Sequence, residues 1–364
     1  MKVPIVQLGG IIPPEVLDEV QQSLSSGMWA DSNHIHELEE EFAHYIGVEH
    51  CRAMTSGTAA LLSMAYAAGL SAGDEVIMPS FTFIATANCL WPFGAKPVFV
   101  DIDPTTFNLD PTLIEDAITP QTKAILPVHL FGLCSDMDPI NGIAEKHGLA
   151  VLEDACQAHG ATYGGKKAGN LGFASAFSLY PTKNMVCGGE GGFVTTNDET
   201  FMDKVKMFIN HGQQAKYVHT ALGFNFRLTE VAAVIAKWSL SVLDENNACR
   251  VAIAAQYNEG LGAVSQVKVP EVPEGRGHVF HQYTIRAERR DELATFLQDH
   301  EIGYGIHYMT PIHLQPYYKD QGYAPSLPVT EQTCKEVISL PMNPVLTDEQ
   351  VEFVVATIKE FYEQ

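Results

Sequence analysis

Short apolar runs alternate with amphipathic stretches between about residue 50 and residue 196. The runs are apolar at consecutive positions, not at every second one, which is typical of strands buried on both faces. The predicted strands are 76–78, 97–100, 123–128, 149–152, 174–178 and 192–195. This pattern predicts an α/β fold in which helices cover a mainly parallel sheet.

The segments between these strands carry signals for the ends of helices. Asp110 and Asp138 each precede a proline, a pair typical of an N-cap followed by the first helical residue. Gly69 and Gly148 stand where glycines commonly end helices. We therefore expect helices to begin at Asp110 and Asp138 and to end near the two glycines.

The pattern changes in the last third of the chain. The elements predicted there are a long amphipathic helix from Thr229 to about Asn246, two strands with more alternation at 267–272 and 279–285, a helix at 291–300, and a final helix opened by the capping-box sequence Thr347–Gln350. We expect a domain boundary within the long helix, near residue 240. The prediction is a large domain over 1–240, with an arm and one helix in 1–30, and a smaller α+β domain over 241–364.

Composition narrows the classes of function. The chain has 364 residues, of which 46% are hydrophobic, and 22 basic against 44 acidic residues give a net charge of −22. Such a charge argues against nucleic acid and anionic membranes as partners. No apolar run approaches the ~18 residues of a membrane-spanning helix, and the N-terminus does not resemble a signal peptide. The seven scattered cysteines form no CxxC pair, so we expect free thiols and a cytoplasmic protein.

Metal chemistry is not expected from the histidines near the N-terminus. His34, His36, His44 and His50 have no spacing typical of a metal site. An exposed polar helix explains them better, and we expect no metal.

The first of three motifs with candidate chemistry is Thr55–Leu61. In it, Ser56, Gly57 and Thr58 open an alanine-rich helix. Small residues at a helix N-terminus let backbone N–H groups and hydroxyls converge on an anion such as phosphate. The same residues also suit an ordinary helix cap, so this motif alone leaves both interpretations open.

The second and third motifs follow predicted buried strands. Asp154 lies at the carboxyl end of one strand, the edge at which open α/β sheets bind ligands, although it could equally cap the next helix. A buried carboxylate needs a cationic partner.

Lys183 lies in a turn before the glycine-rich return Gly188–Gly192. A desolvated lysine can lose its proton and attack aldehydes, whereas most lysines are simply solvated.

The three motifs together match the needs of pyridoxal phosphate (PLP). The lysine can attach to the cofactor aldehyde, and the aspartate can pair with the pyridinium nitrogen so that the ring draws electrons. The small residues at the predicted helix N-terminus can hold the phosphate. The combination is more specific than any of its members.

The chain resembles the DegT/DnrJ-type sugar aminotransferases, a branch of the fold-type I, aspartate aminotransferase-like PLP enzymes. The resemblance extends from about Ile5 to the C-terminus and is carried by the motifs TSGTAAL, PSFTFIAT, EDACQAHG, FSLYPTKN, GGEGG, NHGQ, GFNFRLTE and HYMTPIHLQPYY. It implies the fold-type I architecture of a large domain with a mainly parallel sheet and a smaller C-terminal domain. It also implies a homodimer with shared active sites.

The resemblance assigns catalytic roles to two residues. Lys183 matches the lysine that attaches to PLP and shuttles a proton between cofactor and substrate carbons. Asp154 matches the partner of the pyridinium nitrogen. Gln157 matches a residue that hydrogen-bonds the phenolic oxygen of the cofactor.

Other cofactor contacts follow from the same resemblance. Gly57 and Thr58, with Ser178, match phosphate ligands, beside the Ser56 of the first motif. Phe83 matches the aromatic residue that stacks on the pyridine ring. The resemblance also predicts that Asn225 reaches across a dimer interface to the partner's phosphate.

The substrate-binding residues implied by the resemblance lie near the C-terminus. His307, Tyr308 and His313 match the segment that lines the sugar pocket. A lone histidine is more often structural than functional, so a structural role for either histidine stays open.

The function implied is transfer of an amino group from glutamate to a nucleotide-linked keto-sugar, in amino-sugar and polysaccharide biosynthesis. The cofactor would alternate between PLP and pyridoxamine phosphate. The sequence GEGG at 189–192 resembles the branch that acts at the 4-keto position. Two alternatives stay open: a keto-cyclitol or aminoshikimate-type PLP enzyme, and a non-catalytic DegT-type regulatory protein. Retention of Lys183 and Asp154 argues against the regulator.

Overall fold

The structure is a computed structural model that describes residues 1–5, 12–30 and 32–364. Its helices are α1 Pro14–Ser26, α2 Asn33–Ile46, α3 Gly57–Ala67, α4 Ala85–Asn88, α5 Met137–His147, α6 Glu199–Phe208, α7 Glu230–Ser241, α8 Leu243–Leu261, α9 Arg290–Asp299, α10 Pro316–Asp320, α11 Pro328–Glu336 and α12 Asp348–Glu363. Part of the arm predicted in 1–30 lies outside the described residues. Helix α1 is the one helix expected in that region.

The strands form one large sheet and three small ones. Their bounds are β1 His50–Met54, β2 Glu75–Pro79, β3 Lys96–Val100, β4 Thr122–Ile125, β5 Ala150–Asp154, β6 Thr162–Tyr163, β7 Lys166–Lys167, β8 Ala174–Ser178, β9 Gly192–Thr196, β10 Gln213–Ala215, β11 Val218–His219, β12 Val267–Lys268, β13 Arg276–Gly277, β14 Tyr283–Ala287 and β15 Val337–Leu340. The six strands predicted between residues 76 and 195 are confirmed, with ends shifted by at most three residues.

The large sheet has seven strands in the order β1-β9-β8-β5-β4-β2-β3. Strand β9 pairs antiparallel with both of its neighbours, and the remaining pairs are parallel. Six strands therefore run in one direction, and their carboxyl ends meet at one edge. Parallel strands need crossover connections, and these bury both faces of the sheet.

Successive residues of each central strand contribute to cores on opposite faces of the sheet. Val76 and Leu152 belong to the apolar cluster that packs against α3 and α6. The neighbouring Ile77 and Val151 belong to the cluster that includes α5. This two-sided burial explains the uninterrupted apolar runs in the sequence.

A separate apolar core forms in the C-terminal part of the chain. It joins α8, α9 and α12 to the antiparallel sheet β12-β14-β15. Val3 also belongs to this core and forms a backbone hydrogen bond to Glu301. The core of the large sheet in turn includes Ile312 and Tyr318. Because each core recruits residues from the other part of the chain, the predicted boundary near 240 stays a prediction.

Two predicted helices differ from the structure. The helix expected over Thr229–Asn246 is divided at Val242, where φ is −107° and ψ is 3°, and α8 then continues to Leu261. The helix expected to begin at Asp138 starts at Met137, because a proline is tolerated within the first turn, whose N–H groups lack intrahelical partners. Asp110 does cap Pro111–Leu113, but that segment is a single 3-10 turn.

The strands predicted after the long helix are also shorter or shifted. Strand β12 ends at Lys268 instead of residue 272, since the prolines at 270 and 273 cannot donate ladder hydrogen bonds. Strand β14 begins at Tyr283, because Phe280 has a positive φ of 43° that interrupts an extended backbone.

The predicted capping box at Thr347 is confirmed. Gly148 ends α5 with a left-handed φ of 67°, as expected.

No helix within the described ranges combines the length and apolar character needed to cross a bilayer.

Candidate active site

A cavity of about 720 Å³ lies at the edge of the sheet where the parallel strands end. It brings together residues that are up to 252 positions apart in the sequence, Ser56 and Tyr308 being the extremes. The sequence-predicted residues that line it are Ser56, Gly57, Thr58, Phe83, Asp154, Gln157, Ser178, Lys183, His307 and Tyr308. Asn225 and His313 are not among its lining residues.

The N-terminus of α3 forms one wall of the cavity. Ser56 caps the helix, and its hydroxyl accepts a hydrogen bond of 3.1 Å from the N–H of Ala59. Gly57 lies so close to Ser178 that an added Cβ would stand 2.6 Å from the Cβ of that serine. Only glycine allows this approach, which sets a serine hydroxyl beside the first turn of a helix. The cap and the anion-binding interpretations are therefore compatible, because the side chain of Ser56 serves α3 while the helix end faces the cavity.

Asp154, the last residue of β5, is 4% exposed and lines the cavity. Its Oδ2 accepts a 2.7 Å hydrogen bond from the hydroxyl of Thr86, and its Oδ1 accepts one of 3.2 Å from the N–H of Cys156. No helix follows, so the helix-cap interpretation is wrong. Among the described residues no side chain forms an ion pair with Asp154. A buried acceptor of this kind suits a cationic group of a ligand.

Lys183 reaches the cavity from the turn after β8. Its backbone N–H donates to the carbonyl of Tyr180 at 2.8 Å, which closes the turn. Burial lowers the pKa of the Lys183 amine, while Cys156 and the carboxylate of Asp154 oppose that shift. A lysine in this environment holds its proton less firmly than a surface lysine, as a nucleophile toward an aldehyde requires.

Gln157 is fixed by hydrogen bonds at both ends of its amide. Its Oε1 accepts from the N–H of Phe131 at 2.9 Å, and its Nε2 donates to the hydroxyl of Tyr308 at 3.2 Å. Burial raises the pKa of Tyr308. The amide therefore faces the cavity in a single orientation, and it connects β5 with the C-terminal segment of the chain.

Two sequence-predicted residues lie elsewhere. His313 is fully buried, and its Nδ1 lies 2.7 Å from the hydroxyl of Ser80, which also accepts a hydrogen bond from the backbone N–H of His313. Its Nε2 lies 3.5 Å from Glu331. These contacts attach the C-terminal segment to the end of β2, so we correct the substrate-contact role expected of His313 to an anchoring one. Asn225 is exposed, and its backbone pairs with Asn210.

Sequence reasoning missed two residues that shape the site. Thr86 holds Asp154, and His281 lies with its Nε2 3.4 Å from the Nζ of Lys183. Thr86 is the last residue of the motif PSFTFIAT, three residues after the predicted stacking residue Phe83, and that motif is the signal that could have found it. His281 falls in a segment that the apolar pattern predicted to be a strand, 98 residues from the lysine, and no spacing connects the two.

The donor set fits PLP. The cavity offers an amine of lowered pKa, a buried carboxylate with no cationic partner among the described residues, and a helix N-terminus beside two serine hydroxyls. These groups suit, in turn, the aldehyde, the ring nitrogen and the phosphate of that cofactor.

The sequence matches the DegT/DnrJ/EryC1/StrS aminotransferase family over residues 11–359. The chain belongs to this family. Members of the family are PLP-dependent sugar transaminases, and the predicted family and fold class are confirmed.

Individual relatives align with nearly the whole chain. A "Pleiotropic regulatory protein" of Geobacillus stearothermophilus is 44% identical, over 100% of this chain and 99% of that protein. A UDP-2-acetamido-2-deoxy-3-oxo-D-glucuronate aminotransferase of Pseudomonas aeruginosa is 39% identical, over 93% of this chain and 94% of its own.

Solved structures agree with this assignment. The crystal structure of S. venezuelae DesV has a TM-score of 0.97 and 38% identity, covering 100% of this chain and 99% of DesV. NtdA of Bacillus subtilis, with bound cofactor PMP, has a TM-score of 0.91 and 32% identity, covering 100% of this chain and 86% of NtdA.

Proposed function

We propose that the protein is a cytoplasmic aminotransferase that uses PLP to move the amino group of glutamate onto a nucleotide-linked keto-sugar. The observation that carries the proposal is the meeting of Lys183, Asp154 and the N-terminus of α3 around one cavity, in a chain of this family. The electrostatics of the site also support it, because burial lowers the pKa of the Lys183 amine.

Each residue then has a definite task. Bound PLP supplies an aldehyde that takes up nitrogen and a ring that draws electrons from the adjacent carbon. Lys183 attaches the cofactor, and its Nζ takes up and returns a proton in each half-reaction. Asp154, with Thr86 and Cys156 donating to its two oxygens, would hold the ring nitrogen. Gln157 would hydrogen-bond the phenolic oxygen.

The remaining cofactor contacts hold its phosphate and ring face. The N–H groups at the start of α3, with the hydroxyls of Ser56, Thr58 and Ser178, would bind the phosphate. Phe83 lines the cavity with 57% of its surface exposed, so its ring is available to stack on the cofactor and then meet the substrate. His307 and Tyr308 line the cavity from the C-terminal segment, where the sugar would bind.

Two observations favour different ring positions for the keto group of the substrate. The sequence GEGG favours the 4-keto position, and Glu190 of this sequence lines the cavity. The P. aeruginosa relative instead acts, by its name, on a 3-oxo sugar. The proposal therefore covers both positions, and the assay must offer both substrates.

We also propose that two chains share each active site. Asn225 lies outside the cavity of its own chain and is exposed. In the same stretch of chain, Tyr217, Leu222 and Phe224 expose 82%, 59% and 44% of their surfaces. A polar residue within an exposed apolar surface suits a two-fold contact in which Asn225 enters the partner's site.

A regulatory function is the second candidate. The name of the 44% identical G. stearothermophilus relative favours it. Against it, the catalytic candidates Lys183 and Asp154 are both present and brought to one cavity. The keto-cyclitol alternative requires no change in these residues, so only substrate tests separate it from the sugar enzyme.

The test is nitrogen transfer from [15N]glutamate. Purified protein with PLP is incubated with UDP- and dTDP-linked 3-keto and 4-keto sugars and with a keto-cyclitol, and the products are analysed by mass spectrometry. The proposal predicts a 15N-labelled amino-sugar and an equal amount of 2-oxoglutarate. Labelling of the cyclitol alone would favour the alternative enzyme. No labelled product, from protein that binds PLP, would favour the regulator.

A further inference from the structure

His281 lies against the amine that the proposed reaction requires. Its Nε2 is 3.4 Å from the Nζ of Lys183, and its side chain lines the cavity although the residue is only 5% exposed. Within the described part of the chain, no group forms a hydrogen bond with its Nδ1. Lys183 is therefore the only described side chain that hydrogen-bonds the ring.

The backbone holds His281 rigidly in this place. The N–H of Phe280 donates to the Nδ1 of His278 at 2.9 Å, and the carbonyl of Phe280 accepts from Arg250 at 3.3 Å. On the other side, the N–H of Gln282 donates to the carbonyl of Phe131 at 3.3 Å. The His281 ring therefore lies on a segment that is hydrogen-bonded to Arg250 of α8 on one side and to Phe131, before β5, on the other.

The surroundings keep this imidazole neutral. Burial lowers the pKa of His281 well below its ordinary value, and the charge of Lys183 lowers it further. The basic groups of Arg250, His307 and His159 lower the pKa of His281 in the same direction. A neutral imidazole and an unprotonated amine each have an N–H donor and a nitrogen acceptor. Either of the two can therefore donate the hydrogen bond between them.

We propose that His281 is a positioning residue for Lys183, which holds the Nζ in the cavity and satisfies the amine in its unprotonated form. This role rests on the proposed function, since a lysine that alternately takes up and releases a proton needs a neutral polar partner. Without the ring, the polar groups that act on the amine are Cys156 and, after it, Asp154, and both raise its pKa and so favour the protonated form.

Two substitutions separate the hydrogen bond from the volume of the ring. His281→Gln keeps a neutral polar group at the same number of bonds from Cα as Nε2. His281→Leu removes the polar group and keeps an apolar side chain of similar bulk. If the leucine variant does not fold, His281→Met replaces it, because its unbranched chain adapts to irregular space.

The decisive measurement is the reactivity of Lys183 in cofactor-free protein. Purified protein is labelled with acetic anhydride at pH 7.5, and the Lys183 peptide is quantified by mass spectrometry against the exposed Lys359. We expect labelling to fall about tenfold in His281→Leu, since one pKa unit changes the unprotonated fraction tenfold. The glutamine variant should stay within about twofold of wild type on the same scale. Equal labelling in all three proteins, or equal loss in both variants, would overturn the proposal.

Kinetics of the holoprotein give the second readout. Misplacement of the amine should lower kcat by about 10²-fold in His281→Leu, with KM for glutamate and keto-sugar unchanged, and glutamine should restore most of the loss. A raised KM at normal kcat would instead make His281 a substrate contact and contradict the positioning role. If no substrate accepts nitrogen but labelling responds as expected, the proposed function fails and the role of His281 stands.

Discussion

Asp154 and Glu153 are adjacent acidic residues with different surroundings. The oxygens of Asp154 accept from Thr86 and Cys156 and line the cavity. Glu153 is fully buried and points away from it, bonded to backbone N–H groups and to His129. Because successive side chains of a strand point to opposite faces, the sequence predicts that only one of the two meets the ligand edge. The motif EDACQAHG, not the periodicity, indicates which one.

At the residue scale, Asp154→Asn should remove amino transfer without unfolding the protein. Two donors face the carboxylate, and an amide can accept from only one of them through its single oxygen. It also cannot act as the anionic partner of a protonated ring nitrogen. We expect kcat to fall more than about 100-fold. Thr86→Val removes only one donor, so it should lower kcat less, on the order of 10-fold.

Steady-state kinetics and thermal unfolding of both variants are the measurements for this prediction. Wild-type turnover in Asp154→Asn would mean that the carboxylate is structural. A larger loss in Thr86→Val than in Asp154→Asn would contradict the order of importance proposed for the two residues.

Lys183 should reduce the stability of the cofactor-free protein. Burial lowers the pKa of Lys183 below its ordinary 10.5, so between the lowered value and 10.5 the folded state binds fewer protons than the unfolded state. The free energy of unfolding therefore rises with pH across that window. Lys183→Met should raise Tm at pH 7, and this gain should shrink as the pH approaches 10.

Differential scanning calorimetry of cofactor-free proteins at several pH values tests the effect, with the exposed Lys359→Met as the matched control. A gain in Tm that is independent of pH would show that methionine packs better, and not that the charge is unfavourable. A loss of Tm at pH 7 would contradict the proposed desolvation of the amine.

At the element scale, Glu153 joins the end of β5 to the loop before β8. Its carboxylate accepts from the N–H groups of Gly169, Leu171 and Gly172 at 2.6–2.8 Å, and from the Nε2 of His129 at 2.8 Å. Ser135 donates to the Nδ1 of His129, which places the ring hydrogen on Nε2. A neutral histidine and three amides thus replace the cation expected beside a buried carboxylate.

Glu153→Gln should be destabilising through this network. The amide nitrogen of glutamine would face groups that only donate, and leaving buried donors without an acceptor costs about 3 kcal/mol. Urea unfolding should show a lower midpoint with an unchanged slope. The exposed Glu352→Gln is the matched control and should leave the midpoint unchanged. Equal midpoints for Glu153→Gln and wild type would contradict the network.

The elements that sequence reasoning located well are those fixed by local patterns. The strands of the large sheet are buried on both faces, so their apolar runs are unambiguous, and the Thr347 capping box uses only four residues. The division of α7 from α8 at Val242 has no proline or glycine to mark it. The contacts of His281 and His313 depend on where the C-terminal segment crosses the sheet edge, which no local pattern encodes.

At the scale of the whole molecule, the shared site predicts complementation between inactive subunits. Lys183→Ala and Asn225→Ala proteins are mixed in equal amounts and allowed to exchange subunits. Each hybrid dimer would contain one site with both residues intact. By symmetry about a quarter of all sites are then complete, and activity should rise to about a quarter of the wild-type value.

Exchange is verified with differently tagged chains, and the parental activities are the baseline. Activity that stays at the parental level after confirmed exchange would mean that the site is built within one chain. High activity in Asn225→Ala alone would remove Asn225 from the site altogether.

The most direct test of the central claim is to identify the lysine that binds the cofactor. The purified protein is reconstituted with PLP, reduced with borohydride and digested, and the modified peptide is identified by mass spectrometry. The account predicts one phosphopyridoxyl group, on the peptide that contains Lys183, and loss of both this adduct and the visible absorption band in Lys183→Ala. An adduct on another lysine, or an unchanged absorption band in the variant, would contradict it.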